Sequence, residues 1–176
     1  GCTPKNQEEI KLTDLVPQNT SLVAQINDSV SLKSSKLLYK IFSLNEDLKK
    51  TVQNIIPESS SSPLLLFITP VGKNKNVVGL IFRKNPMDTL VNFKKTIQYS
   101  GKTIGIIDKK GQTFYSTHLG GLKMLSQSQL IIENGIRNYQ KQQRAVSSPT
   151  FYQLAESMDH DMAVNFLIHP TSFSLT

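Results

Sequence analysis

The histidines and the single cysteine are the residues of this chain best suited to nucleophilic, acid–base or metal chemistry. Asp159-His160-Asp161 is the densest ionisable cluster. Adjacent residues of an extended segment point to opposite sides, so at most two of the three would converge on a metal ion. His118, beside Gly120-Gly121, could act as a general base, but no nucleophile with a recognisable local signature accompanies it. An active site would therefore have to be assembled from distant residues, namely His118, His160 and Asp161, and the plain alternative is that these residues occupy polar turns.

Cys2 is the only cysteine, and the polar stretch 3–9 behind it offers no apolar partner that could bury a thiol. A cysteine on a flexible tether lacks the fixed base that nucleophilic catalysis requires. With no second cysteine, the chain forms no internal disulfide. Cys2 resembles the acylated first residue of a mature bacterial lipoprotein whose signal peptide has been removed. This resemblance implies that Cys2 carries lipid and that residues 1–14 are a lipoprotein N-terminus and flexible tether.

Length and composition predict one domain with its own core, because the chain has 176 residues of which 38% are apolar. Its longest apolar run, Leu64 to Ile68, is far shorter than the roughly 18 residues that a transmembrane helix needs. Membrane attachment is therefore expected through the N-terminus. No cofactor or metal motif is found, since the glycines form neither a phosphate loop nor a dinucleotide fingerprint.

The net charge of +7 raises the question of a polyanionic ligand. Arginine, the better residue for bidentate phosphate recognition, occurs only three times, which argues against a nucleic-acid groove. A solvated basic surface is the plain interpretation. A module that binds acidic glycans would instead require the lysine pairs to gather on one face of the fold. These pairs are Lys49-Lys50, Lys94-Lys95 and Lys109-Lys110.

Apolar periodicity and turn residues predict the elements that must position these side chains. The predicted strands are residues 21–27, 63–69, 77–82, 103–107, 113–117, 122–125 and 162–168. The predicted helices follow Asp28, Asn45, Asn85-Pro86, Ser126 and Ser148-Pro149. The helix predicted after Asn85-Pro86 has Phe93 and Ile97 on its buried face and stops at Gly101. The helix predicted after Ser126 begins with a Ser126–Gln129 capping box and buries Leu130.

The resulting order, β-α-α-β-β-α-β-β-β-α-α-β, predicts an α+β fold with a mainly antiparallel sheet and helices packed on one face. Residues 15–176 are expected to form a single domain. The strand and polar break at residues 164–173 echo those at residues 23–32. This echo leaves open that a second unit begins near the C-terminus and that the sequence is truncated from a longer protein.

Three passages are similar to a family of uncharacterised envelope lipoproteins of Bacteroidota, itself related to a wider bacterial family with duplicated α+β units. They are Cys2, the segment 15–27 (LVPQNTSLVAQIN) and the segment 125–134 (LSQSQLIIEN). The resemblance implies a location in the cell envelope and an α+β fold, and it assigns no catalytic residue.

The sequence therefore predicts a lipid-anchored cell-envelope protein that is not an enzyme and has a binding or structural role. The expected partners are the membrane, through Cys2, and a protein or glycan; the membrane leaflet and the oligomeric state stay open. One alternative is an envelope hydrolase or transferase with a site assembled from His118, His160 and Asp161. The other is a polyanion-binding module that uses the lysine pairs.

Overall fold

The computed structural model describes residues 10–27, 45–56, 63–83 and 93–141, together with the backbone of residues 164–168. Within these ranges the chain forms an eight-stranded sheet, two α-helices and a short 3₁₀ helix at Leu12–Leu15. The strands are β1 (Leu22–Ile26), β2 (Leu64–Val71), β3 (Lys75–Arg83), β4 (Lys95–Tyr99), β5 (Lys102–Lys109), β6 (Gln112–Leu119), β7 (Leu122–Ser126) and β8 (Val164–Ile168). The helices are α1 (Glu46–Ile55) and α2 (Gln129–Lys141).

The strands lie in the order β4-β5-β6-β7-β3-β2-β1-β8, and every pairing is antiparallel. The α+β class and the antiparallel sheet are thus confirmed. Strands β4 to β7 form a meander of hairpins whose last strand pairs with β3. Strands β4 and β8 are the two edges of the described sheet.

Each face of the sheet has its own core, because successive strand residues point to opposite sides. On the α2 face, Phe67 and Ile81 pack with Ile132 of α2 and with Leu15 of the 3₁₀ helix. Ile10 and Leu12, which the sequence assigned to the tether, pack against the same cluster. On the α1 face, the core of the sheet packs with α1 through a second cluster of buried residues. That cluster contains Leu22, Ala24, Ile26, Leu64, Leu66, Ile68, Val78, Leu80, Phe114, Leu48, Val52, Ile55 and Ile56.

The expectation that the helices pack on one face is wrong for the two described helices, which lie on opposite faces. The reason lies in the central strands. Leu64 to Ile68 are each at most 1% exposed, so both sides of this strand are covered. An antiparallel sheet with one wet face would instead alternate apolar with polar residues along the strand.

The predicted helix from Asn85 to Gly101 is wrong in its second half, since residues 95–99 form β4. Ile97 and Tyr99 both pack against the α2-face core, the period of two that a strand gives. Ser100 (φ 49°) and Gly101 (φ 74°) both have left-handed backbones, as a two-residue type I′ hairpin turn requires. Gly101 therefore turns a hairpin instead of ending a helix. Residues 84–92 lie outside the described part of the chain.

The predicted start of α2 also needs correction. The Ser128 carbonyl accepts the first helical hydrogen bond, from Ile132 N–H, so Ser128 and not Ser126 precedes the helix. The Ser126 hydroxyl accepts from Ser128 N–H (3.2 Å) and donates to the Val78 carbonyl (3.0 Å), which fastens the strand end to β3. Leu130, expected in the core, is 49% exposed.

Helix α1 forms as the sequence predicts. The Asn45 side chain accepts hydrogen bonds from the Asp47 and Leu48 N–H groups, both at 3.1 Å, so it caps the helix. The helices predicted after Asp28 and after Ser148 lie outside the described residues.

Candidate functional site

The residues proposed for a dispersed active site are only partly within the described structure. His118 lies on β6, directly opposite Lys123 of β7, and is half-buried. His160, Asp161 and the lipidation candidate Cys2 lie outside the described ranges. In the ranges that are described, no group of three or more His, Cys, Asp or Glu side chains could hold a metal ion.

Two of the three lysine pairs, in contrast, are brought together at one end of the sheet. Lys94-Lys95 opens β4, and Lys95 lies opposite Ile106 near the end of β5. The Lys94 N–H donates to the Ile106 carbonyl (2.9 Å), which holds this pair against β5. Lys109 ends β5, and Lys110 follows in the tight turn to β6. Two pairs thus flank the same strand end.

The third pair is carried by α1, which side-chain hydrogen bonds fasten near this end. The Asn54 amide donates to the Gln112 amide oxygen (2.7 Å), and the Gln112 amide donates to the Thr51 hydroxyl (3.1 Å). Gln112 is also the direct cross-strand partner of Lys109. The helix that carries Lys49-Lys50 is therefore bound to the strand that follows the Lys109-Lys110 turn. We call the six lysines the basic end: Lys49, Lys50, Lys94, Lys95, Lys109 and Lys110.

The basic end surrounds the end of the sheet and does not lie on one face. The strand register places Lys95 on the α2 face and Lys109 on the α1 face. A ligand that contacts all three pairs would therefore have to lie across the strand ends. This arrangement differs from the single basic face that the sequence-based alternative required.

The Asp108 carboxylate lies beside the lysine pairs of β4 and β5 and is paired. The Lys94 ammonium contacts Asp108 at 2.7 Å, and the Thr113 hydroxyl donates to the same carboxylate (3.0 Å). The hydrogen bond from Lys94, followed by the one from Thr113, lowers the pKa of Asp108, and the same contact raises the pKa of Lys94. Both groups therefore stay charged at neutral pH. The Lys94 and Asp108 side chains are 69% and 45% exposed, so the pair organises the strand end and contributes little stability.

The other end of the β4–β5 hairpin is anchored to α2. The Arg137 guanidinium donates to the Tyr99 hydroxyl and lies over its ring, 5.9 Å from the centroid. Lys102 lies over the Tyr139 ring at 5.3 Å. These cation–π contacts and hydrogen bonds fix the hairpin against the helix. The basic end consequently stands on a hairpin that is held at its turn.

Sequence reasoning missed the hydrogen-bonded link between α1 and β6. A signal was present, because Thr51 and Asn54 lie at helical spacing among the apolar residues of α1 and are 2% and 5% exposed. Buried polar side chains are nearly always hydrogen-bonded, so these two required partners. Their partner, however, is 58 residues away from Asn54, and only the fold identifies it.

No protein-family model, curated protein or solved structure matches this chain. The helices in the described part of the chain are too short or too polar to cross a membrane.

Proposed function

We propose that this chain is a non-enzymatic, lipid-anchored domain of the bacterial cell envelope that binds an acidic glycan at the basic end. The observation that supports the proposal is that two lysine pairs, distant in sequence, meet at one end of the sheet, and that α1, which carries the third pair, is hydrogen-bonded to Gln112 beside them. Lys95, Lys109 and Lys110 are exposed there. Glu46 and Asp47, in the first turn of α1, leave an excess of positive charge at this end.

The chemistry suits a flexible chain of carboxylates better than a nucleic acid. Lysine ammonium groups are compact, strongly hydrated charges that attract any anion and impose little geometry, whereas arginine forks select planar phosphate and carboxylate groups. A single exposed ion pair contributes at most about 1 kcal/mol. Several ammonium groups facing one polyanion add up, and such binding weakens steeply with salt.

The anchor is supported by the resemblance of Cys2 to the acylated residue of lipoproteins. Residues 3–9, fully extended, span at most about 25 Å. A tether of this length keeps the domain close enough to a membrane surface to meet envelope glycans.

The glycan proposal is tested with polygalacturonate, a polymer of carboxylated sugars, by isothermal titration calorimetry over a range of salt concentrations. A Lys95→Gln, Lys109→Gln, Lys110→Gln triple variant should bind about tenfold or more weakly. The matched control removes the same charge at the opposite end of the sheet, at Lys11, Arg83 and Lys141, all exposed. Equal losses in the two triple variants would show attraction to overall charge and would overturn the site.

The anchor is tested separately. Expressed with a native lipoprotein signal, the chain should carry acyl mass on Cys2 and fractionate with membranes, and Cys2→Ala protein should be soluble. Unacylated, soluble wild-type protein would refute the anchor and leave the glycan result untouched.

A further inference from the structure

Strand β4 exposes an edge of the sheet that none of the described strands pairs with. The two-residue turn at Ser100-Gly101 makes Tyr99 and Lys102 the closing, hydrogen-bonded pair of the β4–β5 hairpin. Hydrogen-bonded and non-hydrogen-bonded pairs alternate along an antiparallel ladder, so the backbone of Ile97 also forms hydrogen bonds with β5. The backbone N–H and C=O groups of Thr96 and Gln98 consequently point outward, away from the sheet.

This edge is accessible and already in strand conformation. Lys95, Thr96 and Gln98 are exposed, and the Gln98 side chain donates a hydrogen bond back to Thr103 (2.9 Å). The turn is fixed to α2, because the Ser100 hydroxyl donates to the Gln140 side chain at 2.8 Å. A preformed edge avoids much of the ordering cost that a flexible loop would pay on binding. An exposed edge of this kind is a template for an added strand.

We propose that β4 binds an extended acidic segment of a partner protein, which adds to the sheet as a further strand. Charge selects the partner: residues 93–112 contain five lysines and one aspartate, and that aspartate is already paired with Lys94. A second copy of this chain is a poorer occupant, because each copy has a net charge of +7 and two copies repel.

The side chains of β4 define the partner sequence. Lys95, Ile97 and Tyr99 lie on the α2 face, and Thr96 and Gln98 lie on the α1 face. An antiparallel segment would match every position if it placed β-branched residues opposite Tyr99 and Ile97 and threonines opposite Gln98 and Thr96. Glutamates would lie opposite Lys94-Lys95. The hexapeptide Val-Thr-Val-Thr-Glu-Glu has this pattern and serves as the probe.

The decisive variant is Thr96→Pro, with Thr96→Val as its control. Proline removes the outward N–H, a group that none of the described strands uses, and proline is tolerated on edge strands. Fluorescence anisotropy with the labelled probe should show about tenfold weaker binding to Thr96→Pro, which corresponds to about 1.4 kcal/mol. Thr96→Val keeps the N–H and should bind as the wild type does. Unchanged affinity in Thr96→Pro would overturn the proposal.

Three further measurements leave the protein unaltered. A probe that is N-methylated at both threonines cannot donate to β4 and should lose binding, and a probe ending in Lys-Lys should bind at least tenfold more weakly. Bound probe should also slow amide hydrogen exchange at Thr96 and Gln98. Equal binding of the methylated probe, or unchanged exchange, would refute strand addition, and equal binding of the lysine probe would refute charge selection.

Dimerisation through β4, seen by sedimentation and abolished in Thr96→Pro, would assign the edge to a second copy instead. Polygalacturonate binding should be unaffected by Thr96→Pro, so this test and that of the glycan site fail independently.

Discussion

Replacing Gln112 with alanine should loosen α1 from the end of β6 and so test how the basic end is assembled. The substitution removes two side-chain hydrogen bonds, to Asn54 (2.7 Å) and to Thr51 (3.1 Å). The Thr51 hydroxyl keeps its hydrogen bond to the Asp47 carbonyl (2.8 Å) and is not left unsatisfied. Losing the hydrogen bond between Gln112 and Thr51 should therefore cost about 1 kcal/mol, the net contribution of an ordinary hydrogen bond. Asn54 is 5% exposed, and its amide is left without this acceptor, which adds about 1–2 kcal/mol. We therefore expect a loss of about 2–3 kcal/mol.

Urea unfolding followed by circular dichroism measures this loss directly. For a domain of this size the midpoint should fall by about 1 M, with an unchanged dependence on urea concentration. Gln98→Ala is the matched control: it removes an exposed hydrogen bond to Thr103 and should change stability by no more than about 0.5 kcal/mol. Gln112→Ala should also weaken polygalacturonate binding several-fold, because α1, which carries Lys49-Lys50, is no longer fastened to β6 at this end of the sheet. Stability within about 0.5 kcal/mol of the wild type would refute the reasoning that this link fastens the helix.

Two further predictions concern single contacts. A Cβ on Gly135 would lie 2.3 Å from the sulfur of Met124, a fully buried residue, so Gly135→Ala should destabilise the wild type by about 1 kcal/mol. In a Met124→Ala background the clash is gone, and the higher helix propensity of alanine should make Gly135→Ala stabilising. Destabilisation in both backgrounds would contradict this account. The carboxyl titration of Asp108, followed by NMR, should have its midpoint below 3.8 in the wild type and closer to 3.8 in Lys94→Met. Because the pKa of Asp108 is lowered in the folded state, the stability that this carboxylate contributes is present above pH 3.8 and is lost as the pH falls through the folded-state pKa. A titration midpoint that Lys94→Met leaves unchanged would exclude the ion pair with Lys94 as the cause of the lowered pKa.

The hairpins were predictable because their turn residues leave little choice. Gly72 (φ 68°) and Gly111 (φ 78°) have left-handed backbones that glycine adopts at little cost, and an apolar run flanks each turn. The cap at Asn45 was predictable for a similar local reason, since a polar side chain directly preceded an amphipathic stretch. Signals of this kind are carried by adjacent residues and do not depend on the rest of the fold.

The faces and pairings depended on information that local patterns do not contain. The same apolar stripe fits a helix covering either face of the sheet, and only the fully buried strand Leu64 to Ile68 shows that both faces need a cover. In the segment 93–99, the four-residue spacing of Phe93 and Ile97 favoured a helix, whereas the two-residue spacing of Ile97 and Tyr99 belongs to the observed strand. Phe93 itself lies over Gly105 of β5, a contact that sequence spacing does not show.

Both proposals depend on the segment that the sequence pattern assigned to the wrong class. If residues 93–99 were helical, the sheet would end at β5, and nothing would hold Lys94-Lys95 beside the end of that strand. As a strand, the segment places this lysine pair against Asp108 and the Lys109-Lys110 turn, and it simultaneously presents the outward backbone groups of Thr96 and Gln98. The basic end and the open edge are thus two consequences of one strand, and they differ in what they need from it. Glycan binding needs the ammonium groups and tolerates the loss of a backbone N–H, whereas strand addition needs the N–H itself.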